Sequence, residues 1–245
     1  MRLSQVSRAV IATMAVAALS APAPALAAGS HHAAGPNHRI DHGTSSNWSG
    51  YAVSGFGPYT SVSSSWTQPA VDCAKTPTGW SAFWVGLDGD TTNTVEQTGS
   101  EADCSKGAAV YYAWYEMYPK YPFNYADKVS AGDSFSASVT FSGRGYFQLT
   151  LSDTTKGWSH TTTQRLKSAK LGSAEAIAEA PSGSGGVLPL ADFGTIPFSG
   201  VTANGSLLSS STAGLDPITM ASGGTVKAAP TSISGGGFSD TWYSQ

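Results

Sequence analysis

The strongest constraint on the fold is a period-two alternation that returns along the chain in short runs. Phe135, Ala137, Val139 and Phe141 alternate with Ser134, Ser136, Ser138 and Thr140, the pattern of a half-buried strand. Val62, Ser64 and Trp66 alternate with Ser61, Ser63 and Ser65, and Phe147, Leu149 and Leu151 repeat the period. The segment from Phe193 to Val201 follows it less perfectly. Gly, Pro, Asn and Asp clusters separate these runs, and no long stretch shows the period of an amphipathic helix. Many short strands with frequent turns predict an all-β fold, a sandwich or barrel, and 245 residues fit one such domain.

The first 27 residues read as a secretory signal. Arg2 and Arg8 open it, Ala9 to Leu19 is apolar, and Ala25-Leu26-Ala27 offers small residues for cleavage. The apolar run is too short, and interrupted too soon by Pro22 and Pro24, to span a membrane. Residues 28–45, with His31, His32, His38 and His42, read as an unstructured leader, and 46–245 as a single domain of an extracellular protein. Formal net charge is −3, and loss of the signal removes two arginines and no acid, so no basic stripe is left for nucleic acid. Charged residues make up only 12% of the chain, so few ion pairs are available for acid to break. A monomer is expected, since no apolar stripe calls for a partner. Cys73 and Cys104 are the two cysteines, and in an exported chain the simplest reading is one disulfide.

Costly residue types gather between Trp84 and Gly99. Trp84-Val85-Gly86-Leu87 leads into Asp88-Gly89-Asp90, and Glu96-Gln97-Thr98-Gly99 follows closely. Over 110–118, alternation puts Val110, Tyr112, Trp114, Glu116 and Tyr118 on one face and Tyr111, Ala113, Tyr115 and Met117 on the other. A carboxylate among large rings suits a groove that grips an extended polymer. The same rule puts Glu175, Ile177 and Glu179 opposite Ala174, Ala176 and Ala178. Two carboxylates four residues apart on a strand stand about 13 Å apart, beyond the ~5–9.5 Å of glycosidase pairs.

Ser46-Asn47-Trp48-Ser49-Gly50-Tyr51, the central stretch, the 112–119 segment and Ala174 to Glu179 together resemble the glutamic peptidases, or eqolisins. The resemblance runs from about Ser46 to about Phe198. It implies a sandwich of two antiparallel sheets, one curved into a concave cleft, similar to the concanavalin-like jelly rolls. It implies a cofactor-free endopeptidase that acts on polypeptides in acid, with Gln97 and Glu179 as catalytic residues. It further puts Trp48, Trp84, Asp88, Tyr112, Trp114 and Glu116 along the cleft. The fungal pattern carries aspartate at the position of Tyr112 and tryptophan at that of Ala176. The first change should alter subsite polarity and the second core packing.

Other chemistries find less support. There is no G-x-S-x-G elbow, His160 is the sole histidine beyond the leader, and no H-E-x-x-H occurs. An EF-hand loop starting at Asp88 would put Gly99 where its glutamate belongs, although an irregular calcium site stays open. Two rival readings remain: a carbohydrate-binding or glucan-cleaving sandwich, and a catalytically silent peptide-binding relative.

Overall fold

The structure, a computed structural model, describes residues 43–245. The signal segment and most of the leader, with its four histidines, lie outside the described residues. Every regular element among them is a strand: β1 (Thr44–Ser45), β2 (Trp48–Ser54), β3 (Ser61–Thr67), β4 (Ala82–Leu87), β5 (Val95–Ser105), β6 (Ala108–Tyr118), β7 (Phe123–Asn124), β8 (Ser134–Gly143), β9 (Tyr146–Asp153), β10 (Trp158–Arg165), β11 (Ser173–Glu179), β12 (Ser182–Gly183), β13 (Gly186–Val187), β14 (Thr195–Ala203), β15 (Ser206–Leu207), β16 (Leu215–Ser222), β17 (Thr225–Pro230) and β18 (Phe238–Trp242).

One hydrogen-bonded path runs β10-β9-β8-β3-β14-β18-β17-β16-β2-β11-β4-β5-β6-β7. The turning point is β16. Its first half, Leu215–Ile218, pairs with β2, and its second half, from Met220, pairs with β17. One strand therefore serves both layers, and β4 and β5 come to lie against β8 and β9. The result is a β-sandwich, antiparallel except where β1 runs parallel to β16. Thr44 and Ser45, read from sequence as the end of the leader, thus belong to the sheet. The C-terminal strand β18 lies inside the sheet, between β14 and β17.

Alternation decides what fills the space between layers. Phe135, Ala137 and Val139 of β8 and Phe147, Leu149 and Leu151 of β9 point inward, against Phe83, Val85 and Leu87 of β4. Ala174, Ala176 and Ala178 of β11 join the same core, so Ala176 is a packing residue on the side away from the glutamates. A second, smaller cluster of Trp48, Trp84, Trp114, Val95, Ile177 and Ile218 covers the opposite face of the front sheet. Two faces of one sheet are buried, which explains the large number of tryptophans drawn to it.

The long β5-β6 hairpin closes through Lys106 and Gly107, both at positive φ (53° and 80°), as a two-residue loop of the I′ kind requires. Beside it Cys104 is joined to Cys73, which ties the 71–76 loop to the end of β5. On the chain-entropy model, a loop spanning 31 positions is worth about 3–4 kcal/mol. The Cys73→Ser/Cys104→Ser variant should therefore melt about 6–16 °C lower; an unchanged Tm by calorimetry would show that the bridge adds nothing.

Candidate active site

The site is built on the outer face of the front sheet, from β2, β11, β4, β5 and β6. Cross-strand register arranges its residues in three rows. Ala52, Glu175, Gly86, Gln97 and Glu116 form the first row, and Gly50, Ile177, Trp84, Gly99 and Trp114 the second. Trp48, Glu179, Ala82, Glu101 and Tyr112 form the third. By backbone register alone Glu175 stands level with Gln97, while Glu179 is displaced along its strand.

Side-chain contacts run along the diagonal instead, and Trp84 carries them. Its Nε1 donates to Glu179 Oε2 at 2.8 Å. The far edge of its ring lies over Gly86, where an added Cβ would stand 2.9 Å from the indole and 3.2 Å from Gln97 Cβ. Gly99 answers the same need, since a Cβ there would meet the Phe83 carbonyl at 2.2 Å and Trp84 Cβ at 2.6 Å. Gly86 and Gly99 are thus the floor on which this tryptophan lies. Trp48 meets Trp84 edge-on, with ring centroids 5.0 Å apart.

Gln97 Nε2 donates to Glu116 Oε2 at 2.7 Å, which fixes the amide and leaves its second N–H for another acceptor. Glu179 accepts from Asn47 Nδ2 at 3.0 Å on its other oxygen. Burial pushes the Glu179 carboxyl well above the usual carboxylate range; the Trp84 indole opposes this and the nearby Glu116 charge adds to it. Gln97, Glu116, Trp84 and Glu179 are therefore one contiguous group, all fully buried.

Glu175 has a different neighbourhood. Burial raises its pKa too, Ser173 opposes, and the charges it feels are those of Asp90, Asp88 and Glu96 at the far end of the sheet. Asp88 departs from the expected place along the cleft. Its carboxylate accepts the backbone N–H groups of Lys170 (2.8 Å), Leu171 (2.9 Å) and Gly172 (2.7 Å), with no exposed surface. It pins the loop before β11, and its φ of 68° turns the chain there. Those three donors also answer the calcium question at Asp88, and no cluster of three or more acidic, His or Cys ligands occurs among the described residues.

Tyr112, Trp114 and Glu116 lie on the face that alternation assigned to them, and Tyr112 hydroxyl donates to Asp103 Oδ2 at 3.1 Å. Three participants escaped the sequence reading. Asn47 was quoted only as part of a motif. Glu101 and Asp103 share the face of Gln97 by the period-two rule, which was open to use on β5 as on β6. Burial raises both: Asp103 to about 8, and Glu101 well above its ordinary value with help from Asp103 and Glu179. His160, the histidine any serine triad would need, is paired to Asp127 at 2.7 Å and stacked on Tyr125.

A buried amide donor beside carboxyls whose pKa values burial raises, on one face of a β-sandwich, is an arrangement suited to hydrolysis. Comparison with known proteins agrees with that class: residues 46–242 match the Peptidase A4 family, and the chain belongs to it. Aspergillopepsin-2 of Aspergillus niger is 31% identical over 182 residues, 65% of this chain and 64% of its own length. Scytalidopepsin B of Scytalidium lignicola is 34% identical over 114 residues, 46% and 42% respectively. The chain thus spans less than two thirds of these relatives. Scytalido-glutamic peptidase, solved with a transition state analog inhibitor, matches with a TM-score of 0.70 at 25% identity over 81% of this chain and 98% of that one. The aspergilloglutamic peptidase of Aspergillus niger matches at 0.60 and 29%, over 67% and 99%.

Proposed function

We propose that the protein is a secreted glutamic endopeptidase, active in acid, in which Gln97 and Glu179 perform the chemistry. The observation that carries this is the Trp84 link: one indole donates to Glu179, and its far edge lies over Gly86, the cross-strand partner of Gln97. Family membership supports the same reading. Glu179 takes a proton from an attacking water as its oxygen bonds to the scissile carbonyl carbon. The free N–H of Gln97 hydrogen-bonds the oxyanion that forms. Glu179 then passes the proton to the amide nitrogen, the C–N bond breaks, and the carboxylate is restored.

Each role matches its group. General acid–base transfer is worth ~10²–10⁴-fold; the Trp84 and Asn47 hydrogen bonds favour the ionised form of Glu179 that accepts the water's proton, against the burial that raises its pKa. A neutral amide donor is worth ~10²–10³-fold and adds no charge that titrates. As pH rises, each neighbouring carboxyl that ionises places negative charge against the developing oxyanion, so turnover falls from acid toward neutrality. Trp48 and Trp114, expected along the cleft, are buried packing residues beneath the site, while Asn47 and Glu116 hold the two catalytic side chains in place.

The purified protein, incubated with a denatured protein between about pH 2 and pH 7, should release peptides in the acid half of that range. Serine-directed reagents, thiol alkylators and chelators should leave this activity intact. Strong loss with a chelator, or absence of cleavage at every pH, would overturn the proposal.

A further inference from the structure

One buried carboxyl of the catalytic face has no part in the chemistry above. Glu101 stands in the third row, where register sets it opposite Ala82, which in turn stands opposite Glu179. Its neighbours on β5 fix its direction. Ala102 packs in the main core, and Ser100 accepts the Trp66 indole there. Glu101 therefore projects from the outer face, as Gln97 does. Glu101 and Glu179 leave the same face two strand spacings apart, about 10 Å at the backbone, with only the methyl of Ala82 on the strand between them.

Both are shut away from solvent: Glu101 is 3% exposed, and Glu179 has no exposed surface. A carboxylate so deeply placed normally has a cation beside it. The cations of the described ion pairs serve Asp192, Asp133 and Asp127 instead. The groups that act on Glu101 are neutral or acidic from every side: Asp103 along β5, Tyr112 and Trp114 from β6, and Glu179 from β11. Ala82 of β4, between them, brings no charge. Tyr112 directs its hydroxyl to Asp103, at 3.1 Å.

The two carboxyls differ in what holds them. Glu179 has an N–H donor on each oxygen, from Asn47 and Trp84, and such bonds favour a charged carboxylate. Glu101 Oε1 has no donor among the described residues. Burial favours the neutral acid at Glu101, the charges of Asp103 and Glu179 add to this, and Trp114 and Tyr112 oppose it. On the Gln97 side, the Glu116 charge acts on Glu179 in the same sense.

We infer that Glu101 is a positioning residue for the reaction: it is the second carboxyl of a pair that carries one negative charge, placed on Glu179, while Glu101 keeps its proton. It acts through Glu179 and touches no reacting atom. A charge on Glu101 would repel the Glu179 carboxylate and the oxyanion alike, with no cation to offset it. The acidic working range then ends where Glu101 loses its proton. This consequence for turnover rests on the peptidase reading, whereas the coupling of the two carboxyls does not.

The coupling can be read without any substrate. In protein labelled with ¹³C at the glutamate carboxyls, NMR should show Glu101 titrating about one pH unit or more lower in Glu179→Gln than in the parent protein, because the opposing charge is gone. An unchanged Glu101 titration would overturn the inference. Kinetics gives the second readout. In Glu101→Gln the upper limb of the kcat/KM profile should move about one unit or more to higher pH, with the lower limb in place. A uniform drop with both limbs unmoved is what a packing role alone would give, and it would overturn the inference. If Glu101→Gln does not fold, the titration in Glu179→Gln decides. Coupled titration in a protein that cleaves nothing at any pH would keep the pair and remove the peptidase reading.

Discussion

Glu179→Gln should lower turnover by ~10²–10⁴-fold while leaving the protein folded, because it keeps shape but removes the proton acceptor. Of the Trp84 and Asn47 donors that hold the two oxygens of Glu179, one keeps an acceptor in the glutamine amide and the other faces its NH2, a loss of one hydrogen bond with the side chain's size and shape unchanged. Gln97→Ala should cost ~10²–10³-fold, the loss expected for one oxyanion donor. Glu175→Gln is the informative control. Register sets Glu175 level with Gln97, yet its electrostatic neighbours are Asp88, Asp90 and Glu96 at the other end of the sheet. Its variant should stay within about tenfold of the parent protein. If instead Glu175→Gln abolishes cleavage and Glu179→Gln is tolerated, backbone register and not the Trp84 diagonal selects the catalytic carboxyl.

Stability should be greatest in acid and fall steeply toward alkaline pH. Burial raises Glu96 to about 9, with the Asp88 charge adding to it, and raises Asp103 and Asp240 to about 8. Each binds its proton more tightly folded than unfolded, where carboxyls titrate near ~4. Their contribution is therefore complete below about pH 4 and is lost as pH rises to the folded values. All three groups act in the same direction across that window, so each further pH unit lowers stability. The three described salt bridges, with partly exposed cationic partners, offer little stability for acid to remove. Calorimetry from about pH 3 to about pH 9 should show Tm falling throughout the upper part of the range. A Tm that is flat, or that rises with pH, would show that these carboxyls are ionised in the folded protein.

Most of this architecture was legible because a period of two is a local property. The faces of β6, β8, β9 and β11 follow from spacing alone, and so does the separation of Ala176 from the glutamates. What lies beyond such reading depends on curvature and on long-range partners. No local pattern shows that β16 is shared by both layers, or that β18 is an interior strand. The family resemblance puts Asp88 along the cleft, but its partners are backbone N–H groups more than eighty residues away. Glu101 and Asp103 were within reach of the alternation rule. Polar residues on an unplaced strand, however, carry no sign of burial until Tyr112 and Trp114 are known to bond to them.

The most direct test of the Gln97–Glu179 account is the pH–activity profile of Gln97→Glu beside that of the parent protein. When ionised, the new carboxylate repels both the oxyanion and Glu179; when protonated, it is a neutral donor that replaces the amide N–H. The account predicts greatly reduced activity whose remainder is displaced to lower pH, where residue 97 carries its proton. A variant with the parent's profile and near-parent turnover would mean that Gln97 is not the oxyanion donor, and would contradict the mechanism.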